Sequence, residues 1–367
     1  MSRPPLIPSV IRLQLEVFVE RTPPPMSFIV MGNSGDFMIT NSVCLYVDIF
    51  LLVICILQIL ANFVVLFVWC TSKRLLRNDS LILLVSLAFI DFVYAVLQFP
   101  YLIILIAGAK PDDVPFNYNP WIIVPLGGPS AALMKSGCTI TTAIAIDRVL
   151  ALYFPVQYYK QSKRYWSIAA FIFALFLAFI DWLILQLTVT IVPVPGCSSF
   201  GCFTNTVFRA YWGLSNMMMN LFSCLLTVVI VYHLFKKSPK VSKAAEVERN
   251  NRSKIDRSAN RVALYILLVS ALIGVVPGCL NGVGTIVSFP LLAEVSFFVG
   301  TCATLSGLSH AFIFAMAHRE IKRAIVKNVF RLETGDRFTT RVDPSSVAVG
   351  VRRYSKTNIN QRKQCYT

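Results

Sequence analysis

Long apolar stretches separated by short polar segments recur along this chain, at a length that suits one solvent. A bilayer core about 30 Å thick is crossed by a helix of ~20 apolar residues, and helices satisfy their own backbone polar groups there. Seven such stretches stand out, at roughly 45–69, 80–107, 122–151, 166–192, 209–235, 261–289 and 291–317. The pattern predicts an all-α membrane protein, a seven-transmembrane helix bundle over 41–331, with a flexible tail over 1–40 and a disordered tail over 332–367. After the seventh stretch, HREIKRAIVKNVFRL sets Ile321, Ala324, Ile325 and Val329 at helical spacing against Arg319, Lys322, Arg323 and Lys327. That alternation predicts a short amphipathic helix lying on a membrane face.

Composition agrees with the lipid reading. The chain is 56% hydrophobic and 14% charged, with a mean hydropathy of +0.66, whereas soluble domains carry about 25% charged residues. The net charge of +16 invites a nucleic-acid partner, so the placement of the basic residues decides. Three fall in 71–79, four in 147–165, nine in 236–261 and twelve in 318–367, leaving only Arg3, Arg12, Arg21, Lys110, Lys135 and Arg209 elsewhere. Charges that hug alternate membrane exits are the mark of cytoplasmic loops, not of a basic stripe on a folded nucleic-acid-binding surface. The first terminus is therefore expected outside and the last inside, with the lipid bilayer and no nucleic acid as partner.

The first forty residues carry no signal-peptide pattern, so the first span is expected to act as its own insertion signal; a start at Met26 or Met31 would shorten this tail. The sequons at Asn78 and Asn251 fall on the expected inner side. Of ten cysteines most lie within spans, where thiols behave as small apolar groups. Cys44, Cys197 and Cys202 are placed where oxidation is plausible: a Cys197–Cys202 bridge would close a very short loop and shape it, while a bridge to Cys44 or free thiols are the alternatives.

Polar groups inside the spans are the candidate chemistry. Asn62 sits mid-helix in ILANFVV and Asp91 deep in SLAFIDF. Either could simply hydrogen-bond a neighbouring helix, but an intramembrane acid more often marks a switch, a proton path or an ion site. Asp147-Arg148 closes the third span in AIAIDRVLALYFP, with Pro155, Tyr158 and Tyr159 following. An acid-base dipeptide at a helix end is weak by itself, since snorkelling explains it. Lys135, Asp181 and Glu294 are the odd charges in or near the membrane: Lys135 either pairs with an acid such as Asp181 to offset burial or meets an acidic ligand.

Asn62, Leu87-Ala88-Phe89-Ile90-Asp91, Asp147-Arg148 and Pro155 across seven spans together resemble the rhodopsin-like G-protein-coupled receptors. The departures matter as much. Pro277 matches that family's kink proline in GVVPGC, but Val275 replaces an aromatic switch residue. In LSHAFIFAMAHRE, His310, Ala311 and Phe314 stand where an Asn-Pro pair and a tyrosine are usual. No cysteine lies near Ile123 for the usual bridge to the next outer loop, and Arg257, beside Asp256, occupies the place of an acid that would lock Arg148. The ordered strings GGPSAALM…AIDRVLALYFPVQYY, GCSSFGCFTNTVFRAYW and SANRVALYILLVSALIGVVPGC resemble, more narrowly, the nematode serpentine chemoreceptors of the Srbc class, over about residues 45–330; Srsx is the nearest competitor.

The resemblance implies a chemosensory receptor at the plasma membrane of a sensory cilium, with a small-molecule ligand among the outer halves of the spans and a heterotrimeric G protein inside. It assigns coupling to Asp147, Arg148 and Pro155, and switching to Asn62, Asp91, Pro277 and His310. His310 is expected to neighbour Asp91, replacing the amide-carboxylate contact usual between spans two and seven. Lys135, Asp181 and Glu294 are the ligand candidates. No enzymatic role and no cofactor are expected: the seventh span has no lysine for retinal, His233, His310 and His318 are ill placed for zinc, and Ser306, Ser309 and His310 share one helix, which points them apart. A small-solute transporter or channel is the alternative. It predicts internal repeats or paired broken helices, of which the glycines at 274, 278, 282 and 284 are the only hint.

Overall fold

The computed structural model of the protein describes residues 41–160, 162–189, 191–236, 262–275, 295–317 and 319–328. The expected tails over 1–40 and 332–367, together with Pro277, Glu294, Arg257 and most of the basic segment 236–261, lie outside the described residues. Everything described is helix or loop. Long helices run α1 (Asn41–Thr71), α3 (Ile82–Ala107), α4 (Pro120–Tyr153), α6 (Lys163–Thr188), α7 (Thr206–Lys236) and α9 (Val295–Ala317), with a shorter α8 at Val262–Gly274. Two brief helices, α2 (Lys73–Leu76) and α5 (Pro155–Lys160), fill turns, and α10 (Arg319–Asn328) follows the last span.

Five of these helices are long and apolar enough to cross a membrane. The third span is not among them: α4 carries Lys135, Asp147 and Arg148 together with prolines, glycines, serines and threonines. Its position explains the polarity: α4 packs against α3, α6 and α7 at once, and seventeen of its 34 residues are buried. A helix hidden by protein on most sides has no need to be lipid-soluble all round. The peripheral α6, by contrast, buries five of 26, namely Ser167, Ala174, Ala178, Asp181 and Leu185. The first four of those are small or polar and fall on one stripe at helical spacing, while Phe173, Phe176 and Phe179 face outward. In α1 the buried set Cys44, Asp48, Leu51, Cys55, Gln58, Asn62, Val65 and Val68 alternates steps of four and three until its last step, the single-sided seam that a helix docked on a bundle presents.

The helix order closes a bundle: α1 lies on α3 and α9, while α8 bridges α7 and α9. Two apolar clusters hold its two ends, one around Val68, Leu84, Ile140 and Phe314, the other around Leu102, Ile123, Phe116 and Phe203. Asn119 starts α4 as an N-cap, its side chain accepting from the Trp121 amide at 3.0 Å with Pro120 in the first turn; both are favoured there because the first helical N–H groups lack partners. Helix α10 has the amphipathic form expected: Ile321 is fully buried, Ala324 and Ile325 pack on the same cluster, and Lys322 and Arg323 are exposed.

Candidate functional site

Midway along the bundle, α1, α3, α8 and α9 bring their polar residues together. His310 Nδ1 lies 3.0 Å from Asp91 Oδ2, and its Nε2 lies 2.8 Å from Ser270 Oγ and 3.2 Å from Ser306 Oγ. A neutral ring protonated on Nδ1 satisfies the set: it donates to the carboxylate and accepts from the hydroxyls. Gln58 Nε2 donates to the Asp91 backbone carbonyl at 2.9 Å, and Asn62 Nδ2 to the carbonyls of Gln58 at 3.0 Å and Gly307 at 3.5 Å. Gly307 leaves room for the Gln58 amide here. A Cβ would press on the Gln58 amide and stand 3.2 Å from Asp91 Oδ1.

Beside this cluster a cavity of about 100 Å³ opens between α3, α4, α7, α8 and α9. Its wall is mostly apolar, with Asp91 and His310 on one side and Asn216 and Asn220 on the other. Lys135 and Asp181 are not in that wall. Lys135 Nζ donates to Ser215 Oγ at 2.5 Å and stands 3.6 Å from Asp181 Oδ2, while the Tyr211 hydroxyl donates to Asp181 Oδ1 at 2.8 Å. The two buried charges thus face one another across α4 and α6, with α7 supplying the remaining hydrogen bonds.

At the end of the bundle where α4 finishes, the guanidinium of Arg148 pairs with the carboxylate of Asp147. The Tyr158 hydroxyl, carried on α5, donates to the same Asp147 oxygen at 3.1 Å and lies 3.4 Å from Arg148 Nη2. The turn opened by Pro155 therefore folds a tyrosine back under the arginine. Partial burial strengthens such a pair without making it permanent.

At the opposite end, Cys197 and Cys202 form a disulfide around a turn that ends in a short 3-10 helix, Phe200–Phe203. The loop closes on itself, with its Phe200 N–H donating to the Tyr101 hydroxyl at 2.8 Å. The Phe200 ring occupies the space beside Gly127, where a Cβ would come within 2.9 Å of it. The Gly196 amide donates to the Phe116 carbonyl at 2.8 Å, and φ of +81° at Gly196 is a conformation suited to glycine. Tyr118 braces the neighbouring loop by donating to the Leu105 carbonyl at 2.8 Å, and burial raises its hydroxyl pKa above the ordinary phenol range, keeping it a donor.

These features lie in a chain whose residues 40–302 match the model of the serpentine type 7TM GPCR chemoreceptor Srbc family. The chain belongs to the Srbc family. Among curated proteins none matches it. The matched span includes the Asp147-Arg148 pair, the disulfide and most of the cavity wall, and stops short of His310.

Within the Srbc bundle the structure brings together Asp91 with His310, Asn62 with Gln58 and Gly307 beside them, Lys135 with Asp181, Asp147 with Arg148, and Cys197 with Cys202. It does not bring the Lys135–Asp181 pair to the cavity. Tyr158 was noted in the sequence beside Asp147-Arg148, whereas Gln58, Ser270, Ser215 and Tyr211 carry no local signal and escaped the sequence reading. Asn216 and Asn220 did carry one: in SNMMMN two amides stand four residues apart, on one face of a helix inside an apolar span.

Proposed function

We propose that this protein is a G-protein-coupled chemosensory receptor in which a small environmental molecule binds in the cavity and the Arg148 end engages a heterotrimeric G protein. The observation that carries this reading is the placement of two built sites on one buried helix. Cavity residues on α4 extend to Thr141, and Arg148 follows seven residues later, about 10 Å along the axis at 1.5 Å per residue. A ligand that shifts α4 against α7 and α9 therefore perturbs the Asp147–Arg148–Tyr158 latch directly. The latch is a charge pair with a second donor, which suits a two-state element. The Asp91–His310–Ser270 cluster ties α3, α8 and α9 together in the cavity wall, and we assign it the switching role along with Asn62.

The charge distribution supports an orientation with the disulfide loop outside and Arg148 inside, in the plasma membrane; a sensory cilium fits the family. The basic segment 236–261 and the basic face of α10 suit anionic lipid headgroups and an acidic partner. Arg148→Ala tests the mechanism. It should leave surface expression largely intact while abolishing ligand-evoked nucleotide exchange on a co-expressed G protein, and unchanged exchange refutes the assignment. Solute movement by the purified protein in liposomes without a G protein would instead favour a transporter.

A further inference from the structure

Asp91 carries a charge that its own contacts do not cancel. Its Oδ2 accepts from His310 Nδ1, and a ring that donates from Nδ1 while taking hydroxyls at Nε2 is neutral. The carboxylate therefore keeps its charge deep in the membrane, where acids are normally paired. Lys135 and Asp181, by contrast, lie outside the cavity wall and answer each other. Among the described residues, no lysine, arginine or second acid lines the cavity.

A partner reaches this charge through Asp91 Oδ1. No donor among the described residues bonds that oxygen, and it is not sealed. Asp48 Oδ1, Gln58 Oε1, Asn62 Oδ1 and the amide oxygen of Asn216 also lack donors there, but each is closed off from solvent. The Asp91 side chain keeps 13% of its surface open, and the residue lies on the cavity wall. Gly307 makes the opening: it lines the cavity too, and a Cβ there would stand 3.2 Å from Oδ1. The rest of the chamber suits a cation with an apolar body. Tyr94 and Trp212 contribute aromatic rings to the wall, and the faces of such rings attract ammonium groups.

We propose that the cavity recognises a small organic cation, a protonated amine with a compact apolar body, whose N–H donates to Asp91 Oδ1. An anionic ligand would meet the carboxylate as a like charge, and a neutral one would leave it without a counter-charge. A hard metal ion would need about six oxygen ligands, whereas this wall offers one open carboxylate oxygen among mostly apolar side chains. The assignment rests on the receptor reading for its site and adds the ligand's class.

The test uses full-length receptor in nanodiscs at neutral pH and three probes of one shape: isobutylammonium, isobutanol and isovalerate. Thermal stabilisation, which binding to the folded state produces by mass action, is the readout, and no G protein is present. Isobutylammonium should stabilise at a concentration about tenfold or more below isobutanol, the factor expected when the hydrogen bond joins charged groups, with isovalerate weakest. Asp91→Asn keeps the shape and an oxygen for His310 but drops the charge, and should bring the amine to the level of the alcohol. Ala303→Leu fills the cavity from α9 and should weaken amine and alcohol alike, so the site is tested independently of Asp91.

Equal stabilisation by amine and alcohol, stronger stabilisation by isovalerate, no stabilisation by the amine, an undiminished amine preference in Asp91→Asn, or undiminished binding in Ala303→Leu would each overturn the assignment. So would equal stabilisation by sodium chloride at the amine's concentration, which would give the carboxylate to an inorganic cation. A parallel nucleotide-exchange assay with a co-expressed G protein separates the two readings. Stabilisation by the amine without exchange leaves the cation site standing and removes the coupling, whereas exchange evoked by the alcohol or the acid but not the amine removes the cation.

Discussion

Lys135 and Asp181 offer the sharpest energetic test, because their charges face each other at 3.6 Å with side chains 4% and 1% exposed. At an effective dielectric of about 20, two unit charges at that distance attract by about 5 kcal/mol, and desolvation on folding offsets much of it. Removing one partner loses the attraction but keeps the other's desolvation. Lys135→Met leaves the Asp181 carboxylate with the Tyr211 hydroxyl, and Asp181→Leu leaves the ammonium with Ser215 and the face of the Tyr211 ring. Each single change should cost about 3–5 kcal/mol. The double change Lys135→Met/Asp181→Leu discards both charges in favour of apolar groups of similar volume and should cost about 1 kcal/mol or less, a coupling of several kcal/mol. Unfolding of the four purified proteins in mixed micelles, read alongside surface expression, measures the cycle. Additive single effects below about 1 kcal/mol would refute the pairing argument. Ligand-evoked exchange should survive in the double variant, because the pair stands apart from the cavity; its selective loss would move Lys135 back among the ligand contacts.

Tyr158→Phe deletes the hydroxyl that shares Asp147 with Arg148, and at about 1 kcal/mol for the lost bond basal nucleotide exchange should rise about fivefold, read in membranes without ligand. Gly307→Ala drives a methyl into the Gln58 amide and toward Asp91; a loss of about 1–3 kcal/mol should appear as a lower Tm, with no loss indicating a gap the structure does not have. Changing both Cys197 and Cys202 to serine opens a loop closed over a separation of five residues. So short a loop returns at most about 2 kcal/mol, and the bundle should still reach the surface.

The fold was readable because apolar length and charge asymmetry are both local quantities. Even the comparatively polar α4 showed as one of the apolar stretches, and the burial that permits its Lys135 and Asp147 became visible only once α3, α6 and α7 surrounded it. The site was readable in part. His310 and Asp91 are 219 residues apart, and their meeting followed from a resemblance that placed one opposite the other; nothing in the residues themselves specifies it. Gln58 and Ser270 are ordinary polar residues until the packing of α1 and α8 turns them inward. The spacing of Asn216 and Asn220 carried a signal, and of the two readings open for Lys135 the structure shows the pairing with Asp181. A formal charge in a span is conspicuous in one dimension, whereas an unsatisfied amide is visible only in three.

The disulfide loop has a consequence for how such chains diversify. Both of its cysteines lie within the loop, and its anchors on the helices include one aromatic ring beside Gly127 and one hydroxyl from Tyr101. The loop is therefore a self-contained cassette. Between the cysteines Phe200 is held by the glycine and tyrosine that form its socket, so a lineage that keeps these three can re-sculpt the rest of the loop without re-evolving the helices beneath it.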